Sequence, residues 1–196
     1  MPETCQPVVL LTGASSGIGL ALARKLWKSD YRVVMTARTT SLSRLSTEPF
    51  ADNARFLIRP LDVTRAEERQ RLIADIQDRW GGVDILINNA GIGFRSVVEH
   101  TSEADRLLVL ETNYLSPMAL IRLVLPGMRQ KGAGRIISVS SVSGMMAMPT
   151  MGTYSASKFA LEGATEALWY EVRPWNIQVS LVEPGFVRSH SFRNMY

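Results

Sequence analysis

Tyr154 and Lys158 stand four residues apart in YSASK, a spacing that could do acid–base chemistry. Four residues advance about 400° on a helix, so both side chains share one face. A tyrosine ordinarily titrates near ~10. A neighbouring ammonium favours the phenolate and lowers that value. Reaching neutrality takes roughly 3 units, or about 4 kcal/mol of differential interaction. A tyrosine so tuned exchanges a proton with an alcohol or a carbonyl. The same spacing also suits an amphipathic helix face without chemistry.

TGASSGIG (12–19) suggests a second kind of chemistry, the cradling of a phosphate. Its glycines, Gly13, Gly17 and Gly19, follow GxxxGxG rather than GxGxxG, but the physics is shared. Glycine permits a tight turn and close backbone approach to a pyrophosphate, and a following helix offers free N–H groups and its positive dipole end. The turn has no lysine, so it is not a P-loop. GASSG (13–17) also matches the GxSxG nucleophile elbow of hydrolases, with Ser15 as nucleophile. That elbow normally follows several strands, whereas this one follows the first apolar run. His100 and His190, the two histidines, read as surface residues rather than bases. A hydrolase is therefore the weakest reading.

Nineteen residues beyond Gly19 comes Arg38, at the end of a second apolar run. A carboxylate near this place holds the ribose 2′-hydroxyl of NAD. None lies between Asp30 and Glu48, and the Arg38 guanidinium suits a 2′-phosphate instead.

The elements that must position these residues alternate. Strands are expected at VVLLT (8–12), YRVVMTA (31–37), within RFLIRPLDV (55–63), and at VDILINN (83–89), GRIISVSS (134–141) and NIQVSLVEP (176–184). Helices are expected over about 17–29, from Thr64 to Gly81, over about 103–131 and over about 153–173. Thr64 and Glu67 form a capping-box pattern, and Leu72, Ile73, Ile76 and Trp80 give that helix one apolar face. The long helix is expected to kink near Pro117 and to end near Pro126. Strand–helix alternation with continuous apolar strands predicts an α/β, doubly wound parallel sheet.

The composition narrows the class. The 196 residues, 46% hydrophobic and 20% charged, make one globular domain, 1–196. A single cysteine, Cys5, excludes an internal disulfide and a Cys-rich metal site, and no metal is expected. No uninterrupted apolar run reaches the ~18 residues of a membrane span. MPETCQPVVLL lacks the pattern of a signal peptide, so a cytoplasmic location is expected. The net charge of +4 is scattered and matches no nucleic-acid module.

Together the motifs resemble the short-chain dehydrogenase/reductase family, from about Pro7 to Ser189. TGASSGIG resembles its cofactor turn, LDV (61–63) its strand-end Asp, and NNAG (88–91) its fourth-strand motif. Asn113 resembles the Asn of its long central helix. Ser141, thirteen residues before Tyr154, has its serine offset, which selects it over Ser138, Ser140 and Ser143. EPG (183–185) resembles its Pro-Gly turn. The resemblance implies a Rossmann-type fold and hydride transfer between a nicotinamide and a carbonyl or alcohol carbon. It implies Tyr154 as general acid or base, Lys158 lowering its pKa and holding ribose hydroxyls, Ser141 orienting the substrate oxygen, and Asn113 binding a relay water. Gly13, Ser15, Ser16, Gly17, Ile18, Gly19, Arg38, Asp62, Val63, Asn89, Ala90, Gly91, Tyr154, Lys158, Pro184, Gly185 and Val187 would bind the cofactor. NADP(H) is preferred, with NAD(H) as the alternative. Two departures stand out: Ser116 where Gly is frequent, and Ser189 where Thr is frequent.

The resemblance also implies a small-molecule substrate and a homodimer or homotetramer paired through the long helices. Four methionines between Met145 and Met151, with Phe94, Phe186 and Phe192, suggest a lipophilic substrate. Family members run to roughly 250 residues, so the sequence is expected to be truncated, lacking the C-terminal seventh strand and the substrate lid. A nucleotide-binding protein without turnover is the alternative function.

Overall fold

The structure is a computed structural model that describes residues 6–187. The apolar runs form β1 (Val8–Leu11), β2 (Arg32–Ala37), β3 (Phe56–Pro60), β4 (Ile85–Asn88), β5 (Gly134–Val139) and β6 (Ile177–Val182). All pair in parallel, in the order β3-β2-β1-β4-β5-β6. The connecting helices are α1 (Gly17–Trp27), α2 (Ala66–Trp80), α3 (Glu103–Leu110), α4 (Ser116–Lys131) and α5 (Gly152–Val172).

Strand side chains alternate between two covered faces, which is why the strands read as unbroken apolar runs. Val8, Leu10, Leu86 and Ile136 pack against Leu72 and Ile76 of α2, Leu120 and Val124 of α4, and Leu168 of α5. Val9, Leu11, Val33 and Met35 meet Ala23 and Leu26 of α1 together with Leu45 and Phe50. The sheet is thus doubly wound, as the alternation implied. No seventh strand occurs among the described residues, and there β6 pairs only with β5.

Three local expectations are corrected. The Thr64 capping box does not form: α2 begins after Arg65, which makes no side-chain cap. Asp62 captures Thr64 instead, its Oδ1 accepting from Thr64 N (3.0 Å) and Oγ1 (2.7 Å). Pro126 does not end its helix, which continues to Lys131 and stops at Gly132 in the left-handed conformation. Near Pro117 there is a π-turn over Glu111–Leu115 rather than a simple kink. Proline has no N–H for the Asn113 carbonyl four residues earlier, and the wider turn absorbs that loss.

The continuous helix Glu103–Lys131 is long and apolar enough by composition to cross a membrane, which counting uninterrupted runs had missed. Leu120, Ile121, Val124 and Met128 are buried against the sheet, so here it serves as a core helix.

Candidate active site

The chain reverses its winding between β1 and β4, and a crevice opens beyond the carboxyl ends of such strands. The turn after β1 forms its floor. Gly13 (φ +69°) and Gly17 (φ +54°) hold left-handed backbone that favours glycine. A methyl on Gly13 would lie 2.8 Å from the Ala90 Cα. Thr12 Oγ1 accepts from Asn89 N and Ala90 N, each at 3.0 Å. Asn89 Nδ2 donates to Thr12 O (2.9 Å) and Gly13 O (3.0 Å). These bonds stitch the ends of β1 and β4 together. Ser16 caps α1 without a side-chain bond, and the first-turn N–H groups have no acceptor within the helix.

The crevice is a cavity of about 930 Å³. Gly13, Ser15, Ser16, Gly17 and Ile18 line it along the turn, and Asn89 and Gly91 at the end of β4. Arg38 lines it after β2, joined by Arg44, which sequence reading missed. Asp62 and Val63 form a flank beyond β3; Pro184, Gly185 and Val187 lie beyond β6. Gly19 and Ala90 are corrected: neither lines the cavity. Gly19 is buried, and a side chain there would collide with the Gly13 carbonyl. Ala90 packs against the core. Their role is to let the turn sit close to the sheet.

Ser141 follows β5, and Tyr154 and Lys158 lie one turn apart at the start of α5; all three line the cavity. The Ser141 side chain lies near enough to the Tyr154 hydroxyl to favour its phenolate. Ser138 is buried away from the cavity, and Ser140 and Ser143 line it but are almost wholly buried: Thr165 Oγ1 donates to Ser138, and Ser140 Oγ donates to Glu162 Oε1 at 2.5 Å. Lys158 is only 5% exposed, and its Nζ donates to Val139 O at 2.9 Å. That ammonium stands 5.9 Å from the Tyr154 ring centroid.

The expected lowering of the tyrosine is corrected. Burial raises Tyr154 above its ordinary value, opposed only by the nearby Ser141 side chain. Burial pushes Lys158 down to about 8, opposed by the Glu162 carboxylate. The ammonium is aimed at a backbone carbonyl rather than at the phenol, and desolvation wins.

Asn113 does not line the cavity; it is 1% exposed, inside the π-turn. Its Oδ1 accepts from Ile92 N (2.9 Å), and its Nδ2 donates to Ile92 O and Ser157 Oγ, each at 3.0 Å. It fastens the segment after β4 to α5 and so acts on the site through its neighbours. Ser116 Oγ donates to Glu111 Oε1 (3.3 Å) and accepts from Arg69 Nη1 (3.5 Å), a use glycine could not serve.

Met148 and Met151 line the cavity, whereas Met145 and Met146 are exposed away from it. Phe186 lines it, and Phe94 is buried without reaching it. His100 is exposed beside Glu99 and does not line the cavity, so it cannot serve Ser15 as a base. Ser189, His190, Phe192 and Cys5 lie outside the described residues. Glu162 and Arg95 were also missed. Glu162 could have been read from its place two turns beyond Tyr154 on the same helix face.

The short chain dehydrogenase family profile matches residues 7–196. The chain is 38% identical to a 3-ketodihydrosphingosine reductase of Bacteroides thetaiotaomicron, over 91% of this chain and 63% of that one. It is 40% identical to human retinol dehydrogenase 8, over 90% of this chain and 58% of that one. It thus spans about three fifths of the length of these curated relatives. Among solved structures, a short-chain dehydrogenase from Streptomyces avermitilis superposes with a TM-score of 0.85 at 38% identity, covering 93% of this chain and 67% of that one. ElxO with NADP bound superposes with a TM-score of 0.88 at 28% identity, covering 96% and 77%.

Proposed function

Because the chain belongs to the short-chain dehydrogenase family, we propose that it is an NADP(H)-dependent oxidoreductase interconverting a carbonyl compound and an alcohol. The observation that carries this reading is the meeting of Ser141, Tyr154 and Lys158 on the wall of a cavity floored by a glycine turn and a helix N-terminus.

The residues fit a dinucleotide. The cradle at Gly13 has no room for a Cβ, and the first-turn N–H groups of α1 suit a pyrophosphate. Arg38 and Arg44, with no carboxylate at the end of β2, favour a 2′-phosphate. When bound, the nicotinamide supplies or accepts a hydride at the carbonyl carbon.

The chain's own groups manage the oxygen and the proton. Burial keeps Tyr154 protonated at neutral pH, the state a proton donor needs in carbonyl reduction. Ser141 holds the substrate oxygen against that hydroxyl. Lys158 is mostly an ammonium below about 8 and stabilises the phenolate formed as the proton leaves. Asn113 is a positioning residue that fixes the wall opposite Lys158: a methyl on Gly91, between them, would lie 3.2 Å from its Oδ1.

Leu108, Met148, Pro149, Met151 and Phe186 support a lipophilic substrate. Exposed Leu107, Leu115 and Phe159 on the helical face support self-association. Titration with NADPH and NADH tests the cofactor choice. We expect tighter NADPH binding, and Arg38→Asp should erase or reverse the preference; equal binding by the parent chain contradicts it.

A further inference from the structure

Arg95 lies on the segment that leaves β4, and it lines the same cavity as Tyr154. Its Nε donates to Thr150 Oγ1 at 3.3 Å, and the next amide, Ser96 N, donates to Thr150 O at 2.8 Å. Thr150 holds φ +65°, an uncommon conformation for a β-branched residue. Two adjacent residues therefore brace one strained residue of the methionine loop, and the guanidinium is set at that loop's edge.

The remaining cations of the cavity have other work. Lys158 is tied to the Val139 carbonyl, and Arg38 and Arg44 sit beyond β2. Arg95 forms no ion pair with a carboxylate among the described residues. Its neighbours on the cavity wall are the apolar Met148, Pro149 and Met151 of the loop it braces. With Nε held by Thr150, the Nη groups remain to bind two oxygens side by side, the arrangement a carboxylate or phosphate offers.

The geometry points to Arg95 as a specificity-determining residue that selects an amphipathic substrate, with an apolar chain along Met148 and Met151 and an acidic head group on the guanidinium. This rests on the proposed reading in which the reacting oxygen lies at Ser141 and Tyr154, and it adds an acidic group to that lipophilic substrate.

The test is equilibrium binding of decanoate, decyl phosphate and 1-decanol to the full chain by calorimetry. It is run with saturating NADPH, so that the anions cannot occupy the cofactor end, and repeated without it. We expect an anion to bind roughly tenfold more tightly than the alcohol, the order of one charge-assisted pair. Preference for decanoate alone identifies a carboxylate, for decyl phosphate alone a phosphate, and either supports the assignment. Arg95→Gln should bring all three affinities together, while Arg71→Gln, at an exposed arginine of α2 outside the cavity, should leave the anion-to-alcohol ratio in place. Salt near ~1 M should erase the preference in the unaltered chain, because Arg95 is exposed. No anion preference in the parent chain, or a preference that survives Arg95→Gln, overturns the assignment. Failure of NADPH itself to bind overturns the dinucleotide reading instead, and the ratio measured without it still decides the role of Arg95.

Discussion

Lys158 carries a charge that the fold opposes. Its folded pKa is about 8 against an ordinary 10.5, so between those values the unfolded chain holds more protons than the folded one. Stability therefore rises with pH through that window, by up to about 3 kcal/mol, and the full cost of the buried charge is present below it. Lys158→Met should abolish that rise, read as unfolding free energies in denaturant near neutrality and again below pH ~10; an unchanged rise would mean another group causes it. Glu162 holds the lysine proton on while its carboxylate anchors Ser140. Glu162→Gln keeps a hydrogen-bond partner for Ser140 and removes the charge, so the alkaline limb of the pH–rate profile should move to lower pH; no movement would refute the coupling. Residue type and spacing pointed to Tyr154 and Lys158, and the family's serine offset to Ser141, and all three line one cavity. The direction of the tyrosine shift was not legible, because it depends on where the ammonium points and how deeply the phenol is buried. Glu162 was legible in principle, since a helix repeats its face every turn, but its partner Ser140 comes from a different element.

At the scale of elements, apolar runs and glycine turns specified six strands and the helices between them, because a sheet covered on both faces leaves a plain signal. The turn after β1 is the most constrained of the connections. A left-handed Gly13 costs an alanine roughly 1–2 kcal/mol, and its Cβ would press on the backbone of Ala90. Gly13→Ala should therefore lower both the melting temperature and the NADPH affinity, by about tenfold or more for the latter; a variant that binds NADPH as the parent does would remove the turn from the cofactor site. Helix ends were less legible. Thr64 and Glu67 had the capping spacing, yet Asp62 offered Thr64 a nearer acceptor. Pro126 suggests a stop, although Gly132, six residues later, provides the actual one. The π-turn at Asn113 left no periodic trace, because one extra residue in a single turn is smaller than the drift of a helical pattern.

Across the whole molecule, sheet order explains why residues so distant in sequence share one cavity. The winding reverses between β1 and β4, which brings Gly13, Asn89, Ser141 and Tyr154 to one end of the sheet. The cations follow the same plan, with Arg38 and Arg44 beyond β2, Lys158 on α5 and Arg95 at the edge of the methionine loop. Such order was inferable only through the family resemblance, since no local pattern states which strands are neighbours. On β6, Gln178, Ser180 and Val182 are exposed among the described residues, and the chain spans about three fifths of its curated relatives. The proposed catalytic groups nevertheless share one cavity within this span. The most direct test pairs NADPH binding with NADPH consumption for the parent chain and Tyr154→Phe, across a panel of lipophilic ketones and aldehydes. The account predicts that the parent consumes NADPH, and that the variant binds it equally well while losing about a hundredfold or more of turnover. Equal turnover by both chains, or a parent that binds NADPH and reduces none of the panel, would contradict it.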